Sequence, residues 1–356
     1  MKIAHLLNKE NNNLDLLRII LSSLVIVGHS PIINGSSESW IDPISKFFPF
    51  TYSGALAVKL FFFISGLLVT NSLLVNKSIS HFIISRSFRL VPALFIVLVI
   101  TVFVFGTAMT NLPLKEYFAS LDNFHYITRN ILFHPDYYLP GLFEDNRLPK
   151  SVNGSLWTLN QEVGCYMGLL GAFLIFGATG RKYLNIVIAI IVIDTLLPTR
   201  IIFGWMGNNP EVYLLPFSFA MGAFFAVNAE TLVVNLKMVL GLFLLYYLFN
   251  TSPLAEVILI ITSSITAIYL VSTKFLLRFK PKYDVSYGLY LWGFLIQQTI
   301  YHLFGQIYTG LHCALAIVIS ALLGLVTYIL VEKPCIRFGR SLIKNFSDRF
   351  QPKATT

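Results

Sequence analysis

The chain has 356 residues, of which 56% are apolar and only 12% charged, and its mean hydropathy is +0.71. That usage excludes an ordinary soluble domain and fits a polytopic membrane protein. The net charge of +9 implies no nucleic-acid partner, because the basic residues fall in short connections between apolar segments, where membrane orientation places them. Windows long enough to cross about 30 Å of hydrocarbon number ten, at 14–33, 54–75, 90–109, 155–177, 184–200, 211–228, 232–249, 254–273, 286–305 and 311–331. With the N-terminus cytoplasmic, the inner connections collect Lys2, Lys9, Lys77, Arg86, Arg89, Arg181, Lys182, Lys274, Arg278, Lys280, Lys282 and the basic residues from Lys333 to Lys353. The outer connections collect only Lys46, Lys115, Arg129, Arg147, Lys150 and Arg200, which puts both termini inside. The expected fold is all-α, with residues 1–340 forming one transmembrane domain and 341–356 a short basic cytoplasmic tail. The first segment follows thirteen mostly polar residues and contains Arg18, so it is read as a retained helix and not a signal peptide.

Within that first segment, LDLLRIILSSLVIVGHS (Leu14 to Ser30), Arg18 and His29 are eleven positions apart. Helical geometry puts them on nearly one face and about 16 Å apart along the axis. Ionisable residues inside a spanning helix are expensive and point to a functional site facing the protein interior. The three cysteines, Cys165, Cys313 and Cys335, are odd in number and show no metal-ligand spacing, so neither a disulfide framework nor a metal site is expected. The one long polar connection, Thr110 to Asn153, carries Tyr117, His125, Tyr126, His134, Tyr137 and Tyr138. It serves either to cover or admit a substrate or to anchor the chain at the interface through its tyrosines.

Six short motifs follow one another: LDLLR with GHS in the first segment, FFFISGLL (Phe61 to Leu68), RSFRLVPAL (Arg86 to Leu94), NGSLWTLNQE (Asn153 to Glu162), DVSYGLYLWGF (Asp284 to Phe294) and VEKPCIR (Val331 to Arg337). In this order the chain resembles the acyltransferase 3 family of bacterial multi-pass membrane acyltransferases, which O-acylate cell-surface and exported carbohydrates. The resemblance covers Leu14 to Arg337. It implies that His29, separated from Arg18 by ten residues, is the essential catalytic group, and that Arg86 and Arg89 are the arginine pair associated with the acyl donor. Trp157 and Glu162 match the family's tryptophan and acidic residue, and Tyr287, Tyr290 and Trp292 its aromatic motif. It also implies acetyl-CoA as donor, supplied from the cytoplasm and not permanently bound, and the bacterial inner membrane as location. Two positions depart from the pattern: Gly293 stands where many members have a histidine, and Lys59 occupies an apolar segment.

The residue chemistry is compatible. Acyl transfer from a thioester to a hydroxyl needs a base near neutral pH, and histidine supplies one. Helix directions place Glu162 at a depth similar to His29, so Glu162 is expected to hydrogen-bond His29 or to pair with Lys59. Arg18, Arg86 and Arg89 at the inner face would grip the phosphates of acyl-CoA. Simpler readings stand beside these. Asp15 is placed to pair with Arg18 at i,i+3, and Arg18 and Lys59 are able to snorkel to the interfaces. Ser65 with Gly66 reads as a close-packing pair, not a nucleophile. Asn153, Trp157, Tyr287, Tyr290 and Trp292 are supporting or packing residues, and the other histidines are loop or packing residues. The acceptor is a carbohydrate or its lipid-linked precursor, reached from outside and served by polysaccharide-assembly proteins. The competing class is a transporter or flippase for a lipid-linked saccharide, which would favour broken helices, inverted repeats and midplane sites.

Overall fold

The computed structural model describes residues 1–35, 40–177 and 180–350, with side chains as far as Asn345. Lys353, part of the basic tail, lies outside the described residues. The fold is helical, with α1 (Leu14–Asn34), α2 (Ser53–Asn76), α3 (Ile79–Ile100, continuing to Met109), α4 (Leu114–Ala119), α5 (Asp122–Ile131), α6 (Trp157–Phe176) and α7 (Arg181–Leu196). There follow α8 (Pro210–Val227), α9 (Leu236–Phe249), α10 (Ala255–Leu270), α11 (Ser286–Phe304), α12 (Thr309–Thr327) and α13 (Lys333–Phe350). A helix occupies each of the ten apolar windows, and among the described residues six helical stretches are long and apolar enough to cross a membrane; α9 and α10 are apolar but shorter.

Local chemistry sets the ends of the main helices. The Asn13 side chain caps α1 by accepting from the Leu16 N–H at 3.3 Å, and Gly35 at φ +88° takes the chain out of it. Ser78 caps α3 through the His81 N–H, which starts that helix at Ile79 and not near 90. Arg86 and Arg89 therefore lie about two and three turns inside it. Asn209, Pro210 and Glu211 open α8 with a cap, a proline at the first position and an acidic residue in the first turn, all favoured at a helix N-terminus.

Small residues let the central helices touch backbone to backbone. A Cβ added to Gly28 of α1 would lie 2.8 Å from the Gly54 Cα of α2, and one on Gly288 of α11 would lie 2.6 Å from the Gly324 Cα of α12. In the crossing of α2 and α8, a Cβ on Gly66 would strike the Phe219 carbonyl and one on Gly222 the Phe63 carbonyl. The close-packing reading of Ser65–Gly66 holds at Gly66.

At two regions the structure narrows or shifts the sequence reading. The connection 110–153 is a folded cap, not an interfacial aromatic loop: Tyr117, Tyr126, Leu139, Leu142, Phe143 and Val152 are fully buried. Tyr117 donates to the Val102 carbonyl at 2.9 Å. The cap's last stretch descends along α11, with Asn146 donating to the Gln298 carbonyl at 3.0 Å and Asn153 to the Leu291 carbonyl at 2.8 Å. Seven residues of α11 separate those contacts, so the chain sinks about 10 Å into the bundle before α6 begins. At the other end, α12 continues through a π-helical turn (Tyr328–Glu332) into α13. The domain boundary drawn at 340/341 therefore falls inside one helix.

Candidate active site

A cavity of about 700 Å³ opens between α1, α2, α3, α6, the start of α11, and α13. Along α2 it runs from Val58 to Val69, eleven residues or about 16 Å. Seven basic residues line it (Lys9, Arg18, Arg86, Arg89, Lys333, Arg337 and Arg340) against three acidic ones (Asp15, Glu162 and Asp284). The balance is strongly positive, as an anionic ligand requires.

The arginines fall into two kinds. Arg18 donates to Asp284 Oδ2 at 2.7 Å, and Arg89 donates to the same oxygen at 2.9 Å and to Glu332 Oε2 at 2.8 Å. The Arg89 guanidinium also lies 5.8 Å from the centre of the Tyr287 ring. Burial alone would raise the Asp284 carboxyl, yet the Arg18 and Arg89 guanidinia, with the Ser286 hydroxyl and backbone N–H, hold it well below the usual carboxylate range. Asp284 and Glu332 were not singled out from the sequence, although both stand inside quoted motifs. The expected Asp15–Arg18 pair does not form, since Asp15 pairs with Lys9 at 3.3 Å and Arg18 is drawn to the more buried Asp284. Among the described residues, Arg86, Arg337 and Arg340 form no ion pair.

Glu162 projects into the middle of the cavity. Its Oε1 accepts hydrogen bonds from the Ser65 hydroxyl at 3.1 Å and from the Tyr166 hydroxyl. It contacts neither His29 nor Lys59, contrary to expectation. The physical reason is the descent of the cap, which starts α6 deep in the bundle and carries Glu162 down to the level of Ser65. Ser65 lies eleven residues along α2 from Gly54, whose partner Gly28 adjoins His29, a separation of about 16 Å.

His29 sits near the opposite end, beyond the cavity wall. Its ring meets that of Phe294 edge-on with centroids 5.3 Å apart. Phe294 is one turn above Tyr290, which lines the cavity; Tyr290 donates to the Ser155 carbonyl at 2.6 Å and shares a hydrogen bond with Thr158. The cavity thus extends along α11 as far as Tyr290, one turn short of the Phe294–His29 contact, while its basic end lies at α3 and α13.

The remaining candidates hold this frame. Asn153 accepts from Ser155 at 2.7 Å while donating to Leu291, Tyr287 donates to the Leu90 carbonyl at 3.0 Å, and Trp292 donates to Thr327 at 3.0 Å. Trp157 opens α6 and packs half-buried against the main core. Lys59 does not snorkel. It is fully buried and pairs with Glu256 at 2.5 Å and Glu211 at 3.2 Å, tying α2 to the first turns of α8 and α10. The sequence reading missed these two glutamates because partners 152 and 197 residues away leave no local pattern. It also missed His81, Arg337 and Arg340, whose signal was their spacing on one face of an amphipathic helix or one turn from a named motif.

Comparison with known proteins places the chain in a family. The chain is 26% identical over 313 residues to an O-acetyl transferase of Shigella phage Sf6, covering 82% of this chain and 86% of that protein. It is 29% identical over 173 residues to nodulation protein 10 of Rhizobium leguminosarum bv. viciae, covering 44% of this chain and 43% of that protein. No solved structure matches it. Residues 11–331 match the family described as acyltransferase domain, which takes in α1 to α12 and the whole cavity except Lys9 and the α13 wall: the chain is a membrane-type, all-helical enzyme that belongs to this acyltransferase family.

Proposed function

We propose that the chain is an O-acetyltransferase of the bacterial inner membrane. It spans the membrane with ten helices, keeps both termini in the cytoplasm, and moves an acetyl group from acetyl-CoA to a hydroxyl of a cell-surface or exported saccharide or its lipid-linked precursor. The observation that carries this reading is the cavity, basic at one end and lined at the other by Tyr290, one turn from the Phe294–His29 contact, in a chain of this family. The donor's phosphates stay at the basic end, and the pantetheine arm follows α2 toward His29. An extended arm is comparable in length with the cavity, so the whole CoA need not cross. Ser65, Glu162 and Tyr166 meet the arm halfway. Glu162 therefore serves donor placement, where its second carboxylate oxygen accepts an amide N–H, and is not the partner of His29.

The acceptor comes from the opposite side, beneath the cap. In direct transfer, a His29 ring nitrogen takes the hydroxyl proton as the oxygen attacks the thioester carbonyl; the C–S bond then breaks and CoA leaves as the thiol. In the alternative, His29 carries the acetyl group transiently, which predicts ping-pong kinetics and a burst of CoA without acceptor. Proteins of polysaccharide assembly would deliver the acceptor.

The test is transfer or hydrolysis of radiolabelled acetyl-CoA by purified protein, wild type against His29→Ala, with CoA binding measured on both. The expected result is loss of turnover by at least about a hundredfold with CoA affinity retained. Equal turnover in the two proteins would remove His29 from the chemistry.

A further inference from the structure

Resting on the donor reading above, we infer that α13 supplies part of the phosphate subsite: Arg337 and Arg340, with Arg86 of α3, grip the phosphates of the acyl donor, while Arg18 and Arg89 are held by the protein's own carboxylates. The division follows from charge accounting. Arg18 and Arg89 already donate to Asp284 and Glu332 at 2.7 to 2.9 Å. Moving either onto a phosphate would strip partners from Glu332, which is 1% exposed, and from Asp284. Leaving a buried carboxylate unpaired is costly. Arg86, Arg337 and Arg340 carry no such obligation, and all three line the cavity.

The geometry of α13 supports the assignment. Gly339 sits against the Phe88 side chain, where an added Cβ would come within 3.0 Å. Phe88 lies between Arg86 and Arg89, so α13 is pressed onto α3 at the arginine pair. Residues 336, 337, 340 and 343 line the cavity at the i, i+1, i+4 and i+7 spacing of one helix face. A third cation from the same helix, Lys333, also lines the cavity and lies 5.4 Å from the Tyr283 ring. Arg337 and Arg340 are exposed at the mouth, where a phosphate stays hydrated on one side and a guanidinium fork binds it on the other. The same chemistry would accept the phosphate of an anionic lipid headgroup, and the experiment separates the two sources.

Binding of CoA and of pantetheine is measured by calorimetry on the full chain in detergent, for wild type, Arg337→Gln/Arg340→Gln, and the charge-matched control Lys274→Gln/Arg278→Gln. The control residues lie on the connection before α11 and do not line the cavity. The expected result is a loss of CoA affinity of at least about tenfold in the Arg337/Arg340 variant, with pantetheine affinity and the control unchanged and with partial recovery in Arg337→Lys/Arg340→Lys. Unchanged CoA affinity in a wild-type-like variant overturns this inference and leaves the donor reading standing. An equal loss for pantetheine also overturns it. Absence of CoA binding by the wild type overturns the donor reading and this inference together. Repeating the comparison by flotation with phosphatidylcholine vesicles, with and without phosphatidylglycerol, gives the last arm. If the variant keeps its CoA affinity and loses only association with phosphatidylglycerol, the arginines serve lipid and the inference fails.

Discussion

Two guanidinium groups share the Asp284 carboxylate, and a second carboxyl, Glu332, completes the chain of charge. Because each cation's hydrogen bonds are already made, Asp284→Asn leaves two partly buried guanidinia short of countercharge. The expected cost is about 2 to 4 kcal/mol, read as a lowered Tm of the purified protein. The sign of its pH dependence is fixed by the depressed Asp284 carboxyl: its contribution is fully present above the unfolded carboxylate's value of about 4 and is lost as pH falls below it toward the folded value. The stability difference between wild type and Asp284→Asn should accordingly stay flat from neutral pH down to about 4 and narrow below it. A difference that vanished already near pH 6 would contradict the assignment. At this scale the sequence disclosed residue types well and partners poorly. His29, Arg18, Arg86 and Arg89 stand out because charge is rare in apolar segments, and three of them do line the cavity. Which acid each arginine would meet, and that Glu162 would find Ser65 and Tyr166 in place of His29, depended on contacts as many as 266 residues apart.

Helices were legible because apolar length and capping are local properties. Every apolar window became a helix, and the Gly66 reading survived because small residues in an apolar helix have few uses other than close approach. The crossing of α2 and α8 depends on it: Gly66→Val would drive methyl groups into the Phe219 carbonyl and Gly222→Val into that of Phe63. Each should cost about 1 to 3 kcal/mol and lower the yield of folded protein on size exclusion, whereas Gly168→Val on α6, where an added Cβ meets nothing within 4 Å, should leave it unchanged. Comparable yields for all three would refute the crossing. Two elements were misjudged for physical reasons. The depth of α6 depends on where the preceding cap enters the bundle, which hydropathy does not encode. The C-terminal segment reads as a basic tail because its apolar residues are spaced helically and not contiguous, so a cavity-facing amphipathic helix scores as polar.

For the whole molecule, positive charge at one end of the bundle does two jobs. In the proposed topology it sets orientation in the membrane, through the inside bias of Lys and Arg, and it forms the mouth of the cavity at α3 and α13. The buried Lys59 and its half-buried partners Glu211 and Glu256 tie α2, α8 and α10 together toward the other end, next to the connection between α1 and α2 that follows His29. Donor and acceptor would then approach His29 from opposite faces, separated by Phe294 and the α6 entry. If the acyl donor's arm occupies this cavity, a thiol placed halfway along it reports the occupancy, as Ser65→Cys in a chain whose three native cysteines are replaced by serine or alanine. Maleimide labelling is then followed with increasing desulpho-CoA, which carries no thiol of its own. Progressive, saturable protection of Cys at position 65 is the predicted result. Labelling that stays constant while desulpho-CoA is shown to bind would contradict it, because the arm would then lie elsewhere.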